Sequence, residues 1–273
     1  MPWTFTHDAG AFLDAAGASL SARPAENTLV LTVTATLRRS GPHAFGDDTP
    51  VLGWWRGPDG GVAGTLVWTP PYVPLLGSVA PEALGPLAEA LVLPGVDADR
   101  ATARALASHW PGHRVDQEQR LHRLGTLMPP SPAPAGGPRT ATAADRALLL
   151  DWVRAFAEET GQAGDRAERI VDERTAHGGL TLWEAQGAPV SMAGVSREAA
   201  GTVRVATVYT PPGHRGRGYA AAVTAEVSRA AREAGAREVL LVTDLADPTS
   251  NGVYRRIGYE PVCDRLLITA EPR

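Results

Sequence analysis

The chain has no lysine: every one of its 26 basic residues is arginine. That absence excludes a phosphate loop of the Gly-x-x-x-x-Gly-Lys-Ser/Thr kind, whose lysine must reach the phosphates. Cysteine is almost as scarce. Cys263 stands alone, so no intrachain disulfide can form, and its apolar strand-like surroundings (Pro261 to Ile268) read as those of a buried structural thiol rather than a nucleophile. No apolar run approaches the roughly 18 residues that a membrane span needs. Met1-Pro2-Trp3-Thr4-Phe5 has neither a basic region nor a following apolar run, so no secretory signal is expected. These absences predict a cytoplasmic protein without a membrane partner. An excess of positive charge is missing too. The formal net charge is −4, and nucleic-acid binders usually show a strongly basic face, so no nucleic-acid partner is expected. No His, Cys or carboxylate cluster has ligand spacing, so no metal is expected.

What is present is ordinary for a globular α/β chain. Its 273 residues are 44% hydrophobic and 21% charged, enough for two modest domains. Abundant Ala, Gly, Pro and Arg point to a genome biased toward G and C, which weakens propensity arguments from Ala and Arg. The clearest boundary is 129–138, with five prolines and the pair Gly136-Gly137; such a stretch cannot continue a helix or a central strand and reads as a semi-extended linker. The expected domains are 1–128 and 139–273.

In the second half, Arg139 to Ala141 reads as a short strand, and Thr142 with Asp145 as a helix cap. Leu148, Leu149, Trp152, Val153 and Phe156 recur at helical spacing, and a second helix is expected over 165–176. Strands 180–185 and 190–195 flank a hairpin signal at Gln186-Gly187-Ala188-Pro189, and 202–209 alternates as a third strand. A glycine- and arginine-rich turn follows, then a helix from about Gly218 that Gly235 terminates. Strand 237–243, a short helix 250–257 and a closing strand 259–269 complete the order β-α-α-β-β-β-α-β-α-β.

The first half echoes this arrangement. Leu52 to Trp55, a Gly57-Pro58-Asp59-Gly60-Gly61 turn and Val62 to Trp68 resemble the hairpin around Trp183, 128 residues further on. An apolar run (73–79), helices at 81–91 and 99–110, and a strand at 119–127 come next, with a helix at 11–22 upstream. Segment 28–37 is ambiguous: its Val and Thr favour strand, yet a helix also fits.

The chemistry-bearing feature is the turn Pro211-Pro212-Gly213-His214-Arg215-Gly216-Arg217-Gly218 between a strand and a helix. Glycines let backbone approach a ligand, and the first N–H groups of a helix lack internal acceptors and favour an anion. The turn lacks the Gly-x-Gly-x-x-Gly of a dinucleotide site. Arg215-Gly216-Arg217-Gly218-Tyr219-Ala220 fits R/Q-x-x-G-x-G/A, and Pro248 to Tyr259 holds Asn251 and Tyr254 before a Gly258-Tyr259 pair. In both motifs, and in element order from Arg139 to Thr269, the chain resembles the GNAT superfamily of N-acetyltransferases. The resemblance implies an α/β (α+β) fold, a mixed and mostly antiparallel sheet flanked by helices, with the first half a degenerate GNAT-like repeat or scaffold.

It also implies roles. Val208, Tyr209 and Thr210 would lie at a splayed strand end, pairing with the pantetheine arm of acetyl-CoA and polarising its thioester. Arg215, Gly216, Arg217, Gly218, Tyr219, Ala220 and Ala221 would hold the pyrophosphate, and Asn251 part of the pantetheine arm. Tyr254 would be the general acid for the leaving thiolate. The chain departs from the family at Asp247, seven residues before the tyrosine, where many relatives carry Asn, and at Val242, where some carry a catalytic Glu. Asp244, Glu184, His177, His214 or solvent remain as bases. The first half has Val79-Ala80-Pro81-Glu82-Ala83-Leu84 where the turn should be, and Glu82 would repel a phosphate. Trp54, Trp55, Trp68 and Tyr72 either line an acceptor cleft or fill a core. The acceptor is a small-molecule amine or a peptide, a homodimer is compatible, and an acyl-CoA-binding module without turnover is the alternative.

Overall fold

A computed structural model describes residues 2–161 and 166–271. The first half runs β1 (Trp3–Thr6), α1 (Ala9–Ala22), α2 (Thr28–Ser40), β2 (Val51–Arg56), β3 (Val62–Trp68) and β4 (Leu75–Leu76). It continues with α3 (Leu84–Ala90), β5 (Gly95–Asp99), α4 (Arg100–Ala107) and β6 (His113–Leu124). The second half runs β7 (Gly137–Thr140), α5 (Arg146–Glu159), α6 (Ala167–Thr175), β8 (Leu180–Ala185), β9 (Ala188–Val195) and β10 (Thr202–Tyr209). Then come α7 (Tyr219–Glu233), β11 (Glu238–Asp244), α8 (Pro248–Arg256) and β12 (Tyr259–Ala270). Both halves pass through the same order of elements. The expected start of α6 at Asp165 lies outside the described residues.

The chain divides into two compact units. The first is Met1–Leu121 with Thr243–Ala246 and Pro261–Arg273; the second is His122–Val242 with Asp247–Glu260.

In the first unit the strands lie in the order β1-β2-β3-β4-β5-β12-β6. The β1, β2 and β3 strands are antiparallel neighbours, β4 meets β5 in parallel, and β12 pairs with β5 antiparallel through Arg265↔Asp99 to Thr269↔Gly95. Leu66, Leu76, Val96, Leu106, Leu266 and Ile268 are fully buried in one cluster with Trp3 and Trp55. Arg265 and Asp97 form a buried ion pair inside this packing (Nη2–Oδ1 2.7 Å). Of the four aromatics that could have lined a cleft, Trp55 sits in the core, Trp54 packs on Phe12 and Trp68 donates to the Tyr72 carbonyl at 2.9 Å.

Three elements of this unit are left open or unread by the sequence, for physical reasons. Segment 28–40 is a helix: Thr32, Thr34 and Thr36 each bond a carbonyl four residues back, and Val30, Leu31, Thr34 and Leu37 form its buried side. β5 carries aspartates at alternate positions, which masks a strand, yet Asp97 is neutralised by Arg265 and Asp99 caps α4 by accepting from Ala101 and Thr102 amides. The apolar run 73–79 contributes only the two residues of β4.

In the second unit the order is β11-β10-β9-β8-β7, antiparallel except for the parallel β10–β11 pair. The edge position of β7 tolerates Pro138, which has no N–H to donate. The linker end is docked here, since Trp183 Nε1 donates to the Ala135 carbonyl at 3.0 Å. The expected cap is present: Asp145 accepts from the Thr142 amide at 2.8 Å. Arg139 also grips Asp145 (2.7 Å) and holds its carboxyl down to about 2. One sheet face carries α7 over Val190, Ala193, Val205, Val239 and Leu241; the other carries α5 and α6 over Leu180, Leu182, Met192 and Tyr209. No helix of the described residues is long and apolar enough to cross a membrane.

Two outcomes test the first unit. Removing one member of a buried ion pair leaves the other uncompensated, so Asp97→Ala should destabilise this unit by about 3–5 kcal/mol in chemical denaturation. A chain ending at Glu260 should lose deuterium-exchange protection at β2, β3 and β5, because β12 supplies part of their core; retained protection would contradict the assigned packing.

Candidate functional site

β10 pairs with β11 only from Thr202↔Glu238 to Val205↔Leu241. On its other side the register with β9 slips: Ala206 faces Gly194, but Tyr209, three residues on, faces Met192, two residues back. The extra residue is a β-bulge, and Thr207 adopts φ +54° within it. A bulge bends its strand, so Val208, Tyr209 and Thr210 continue without a ladder partner on β11. The backbone amides on that side are available to a ligand, while the carbonyls of Tyr209 and Thr210 accept from Ser191 and Arg215.

Local bonds hold this strand end in place. Ser191 donates to the Tyr209 carbonyl at 3.0 Å, and its hydroxyl lies 2.8 Å from that of Thr210. Tyr209 is buried against Trp152 (ring centroids 6.1 Å apart), and burial pushes its phenol pKa up.

The chain then passes through a short 3₁₀ turn at Pro212–His214 and reaches α7. Gly216 and Gly218 have φ of +75° and +83°, the left-handed conformation that glycine adopts without penalty. Gly218 is the N-cap of α7 and supplies no side-chain acceptor, and the first helical turn holds no acidic residue. The first internal bond belongs to Ala222, whose amide donates to the Gly218 carbonyl at 3.0 Å. Among the described residues, therefore, no backbone acceptor meets the amides of Tyr219, Ala220 and Ala221. Uncapped amides at a helix start, with the helix dipole behind them, suit a phosphate.

The two arginines of the turn diverge. Arg217 is exposed, without an ion pair among the described residues. Arg215 folds back instead: Nε donates to the Thr210 carbonyl (2.8 Å), Nη2 bonds both oxygens of Glu159 (2.7 Å each), and the guanidinium lies 5.8 Å from the Tyr209 ring centroid. It thus ties the strand end and the turn to the last residue of α5.

On α8, Asp247 acts as the N-cap, with Oδ1 accepting from the amides of Thr249 (3.0 Å) and Ser250 (3.1 Å). An acceptor-only carboxylate is suited to that task. Asn251 donates from Nδ2 to the Asp247 carbonyl at 2.7 Å. Tyr254 is partly buried, edge-on to Tyr259 with centroids 6.1 Å apart. Its hydroxyl bonds no described residue, and burial, with the charge of Asp247, raises its pKa well above the ordinary phenol value. Tyr254, Val208 and Ala221 all pack on the hydrophobic cluster that contains Tyr219. The structure thus assembles the strand end, the turn and the tyrosine around one core.

Of the candidate bases, His214 lies in the turn itself, and Glu184, Asp244 and His177 make local bonds of their own. Glu184 is held by Arg139 (2.7 Å) on β8, two strands away from β10. Asp244 belongs to the first unit's share of the chain, where Oδ1 accepts from the Ala246 amide at 2.7 Å. His177 Nδ1 sits 2.8 Å from the Glu173 carbonyl, while His214 Nδ1 is buried without a hydrogen bond. Cys263 is partly buried, and burial raises its thiol pKa.

Two residues at the site carry no sequence signal. Glu159 closes α5 and meets Arg215 across a gap of 56 positions. Arg174, on the last turn of α6, places Nη1 2.6 Å from the Thr207 hydroxyl at the bulge. Among the described residues no group of three or more His, Cys, Asp and Glu side chains could hold a metal ion.

Comparisons with known proteins bear on the fold. The model of the Acetyltransferase (GNAT) family matches residues 146–259. No curated protein matches the chain in sequence. Among solved structures, a Drosophila protein is 13% identical and superposes with a TM-score of 0.67, covering 97% of this chain and 96% of its own. A GCN5-related N-acetyltransferase from Sphaerobacter thermophilus is 21% identical, with a TM-score of 0.61 over 97% of this chain and 94% of its own. A GNAT-family acetyltransferase from Colwellia psychrerythraea is 8% identical, with a TM-score of 0.64 over 98% and 99% of the two chains. The fold shared with these proteins extends over nearly the whole chain, and its segment 146–259 matches the model of the GNAT acetyltransferase family.

Proposed function

We propose that the chain is an N-acetyltransferase that moves the acetyl group of acetyl-CoA to an amine by direct attack. The observation that carries this reading is the path from the unpaired end of β10, through the left-handed glycines 216 and 218, to the uncapped start of α7. That path offers extended backbone for an amide-bearing arm and, next to it, helix amides for a pyrophosphate. The second unit, His122–Val242 with Asp247–Glu260, carries the chemistry in this reading, and the first unit is a scaffold. The corresponding turn of the first half is a 3₁₀ helix, Pro81–Ala83, with Glu82 in its first turn, which suits no phosphate. We place the protein in the cytoplasm, with a small-molecule or peptide amine as its acceptor.

In the reaction the amine nitrogen forms a bond to the thioester carbon as the carbon–sulfur bond breaks. The backbone amides of Val208 to Thr210 orient the donor and stabilise charge on the carbonyl oxygen. Tyr254 gives its proton to the departing thiolate, and its raised pKa keeps that proton in place at neutral pH. The amine's own proton passes to solvent. Arg215 and Glu159 fix the strand end and the turn as one rigid cradle.

Two variants test the reading through release of free CoA in an amine panel. Tyr254→Phe should lower kcat by about 100-fold or more with little change in donor KM; an unchanged kcat removes Tyr254 from the proton transfer. Tight donor binding with no amine turned over would favour a binding module instead. Gly218→Val places a β-branched residue at φ +83°. The nearest atoms to a Cβ there belong to Pro134, 3.9 Å or more away, so the effect is conformational rather than steric. It should cost about 1–2 kcal/mol of stability and weaken donor affinity about tenfold. Unaltered affinity in calorimetry would displace the phosphate site from this turn.

A further inference from the structure

The guanidinium of Arg174 lies against the sheet face that α5 and α6 cover, beside the bulge of β10. It comes so close to β9 that a Cβ at Gly194 would stand 2.4 Å from Nη1. Glycine inside a strand weakens it and marks a place where another group must approach the backbone; here that group is a cation. Nη1 donates to Thr207 Oγ1 at 2.6 Å, and Thr207 is the positive-φ residue of the bulge, two positions beyond the last β10–β11 pair. Desolvation lowers the pKa of Arg174 to about 10, against a partial pull from its neighbour Glu173. Arginines of this unit that do bond a carboxylate, such as Arg139, Arg146 and Arg215, do so with a third or more of the side chain exposed. Arg174 has no carboxylate of the described residues within ion-pairing distance. A guanidinium has five N–H donors in a planar fork that matches a carboxylate, and a desolvated charge is costly without such a partner.

Resting on the acetyltransferase reading, we propose that Arg174 is a specificity residue that receives a carboxylate carried by the acceptor. The acceptor is then an α-amino acid, or a molecule that likewise bears an acid group beside its amine. The bulge fixes the geometry. It sets the fork of Arg174 next to the strand residues assigned to the thioester, so an acceptor held by its carboxylate presents its amine to the carbonyl carbon.

Matched acceptors that differ only in the carboxylate, such as phenylalanine with phenethylamine and tyrosine with tyramine, provide the test. The wild-type protein should favour the acid of a pair by at least tenfold in kcat/KM. Arg174→Met should lower kcat/KM for the acid at least tenfold more than for the amine, mainly through KM, and Arg174→Lys should recover part of the preference. Equal losses for both members would show that Arg174 only clamps the bulge, and would overturn the proposal. So would turnover without a preference for the acid, which leaves the acetyltransferase reading intact. An Arg174-dependent preference for succinyl-CoA over acetyl-CoA would overturn it as well, by placing the carboxylate on the donor. Calorimetry on the CoA-saturated protein reads the same site without turnover. N-acetylphenylalanine should bind at least tenfold more tightly than its amide, and Arg174→Met should abolish the difference. That result with no amine turned over supports the carboxylate site while refuting the enzyme reading; equal affinities overturn the site.

Discussion

The ladder between β10 and β11 stops at Val205 and Leu241 because the next turn of β10 holds one residue more than its β9 partner can match. Thr207 absorbs the excess at positive φ, and the strand leaves the plane of its parallel neighbour. Without the bulge, the backbone of Val208 to Thr210 would continue the sheet, and its N–H and C=O groups would be spent on β11. The direction of the following turn, and with it the start of α7, depends on the same departure. A backbone residue held at a sparsely populated φ needs its surroundings to enforce it. Here Arg174 from α6 and the Ser191 bonds to Tyr209 and Thr210 supply that enforcement. A helix on one face of the sheet and the neighbouring strand β9 therefore determine the shape of this strand end.

Much of this local architecture was legible in the chain itself. Gly216 and Gly218, read as positions of close backbone approach, both adopt left-handed φ, and Gly235, read as a helix stop, lies at φ +100°. Thr142 and Asp145 cap as their spacing indicates. These features are local: a few consecutive residues contain the whole signal. The bulge was not legible, since Thr202 to Tyr209 alternates like an ordinary strand and the mismatch exists only against β9. β1 and β5 were missed for a related reason, as four or five residues carry too little periodicity to register and Asp97 hides its buried partner 168 positions away. Glu159 and Arg174 sit near the ends of amphipathic helices among other charged residues, and only packing distinguishes them.

The two units use one order of elements for different ends. In the second, the glycines before α7 leave amides exposed at a helix start. In the first, the equivalent connection holds Pro81 and Glu82, and the Trp3 indole donates to the Ala83 carbonyl at 2.9 Å in the buried interior. Proline and a bonded carbonyl stabilise this turn as a packing element. The same topology thus yields an open backbone in one unit and a closed one in the other, through three or four residues at a single connection.

The placement of β12 has a consequence for biosynthesis. Leu266 and Ile268 complete the core around Val96, although Val96 leaves the ribosome about 170 residues before them. Until β12 is synthesised, β5 presents a bare edge and an unfinished apolar face. The first unit is thus synthesised first and completed last, and a nascent chain stalled anywhere before Pro261 exposes an incomplete core to the cell's proteases and chaperones.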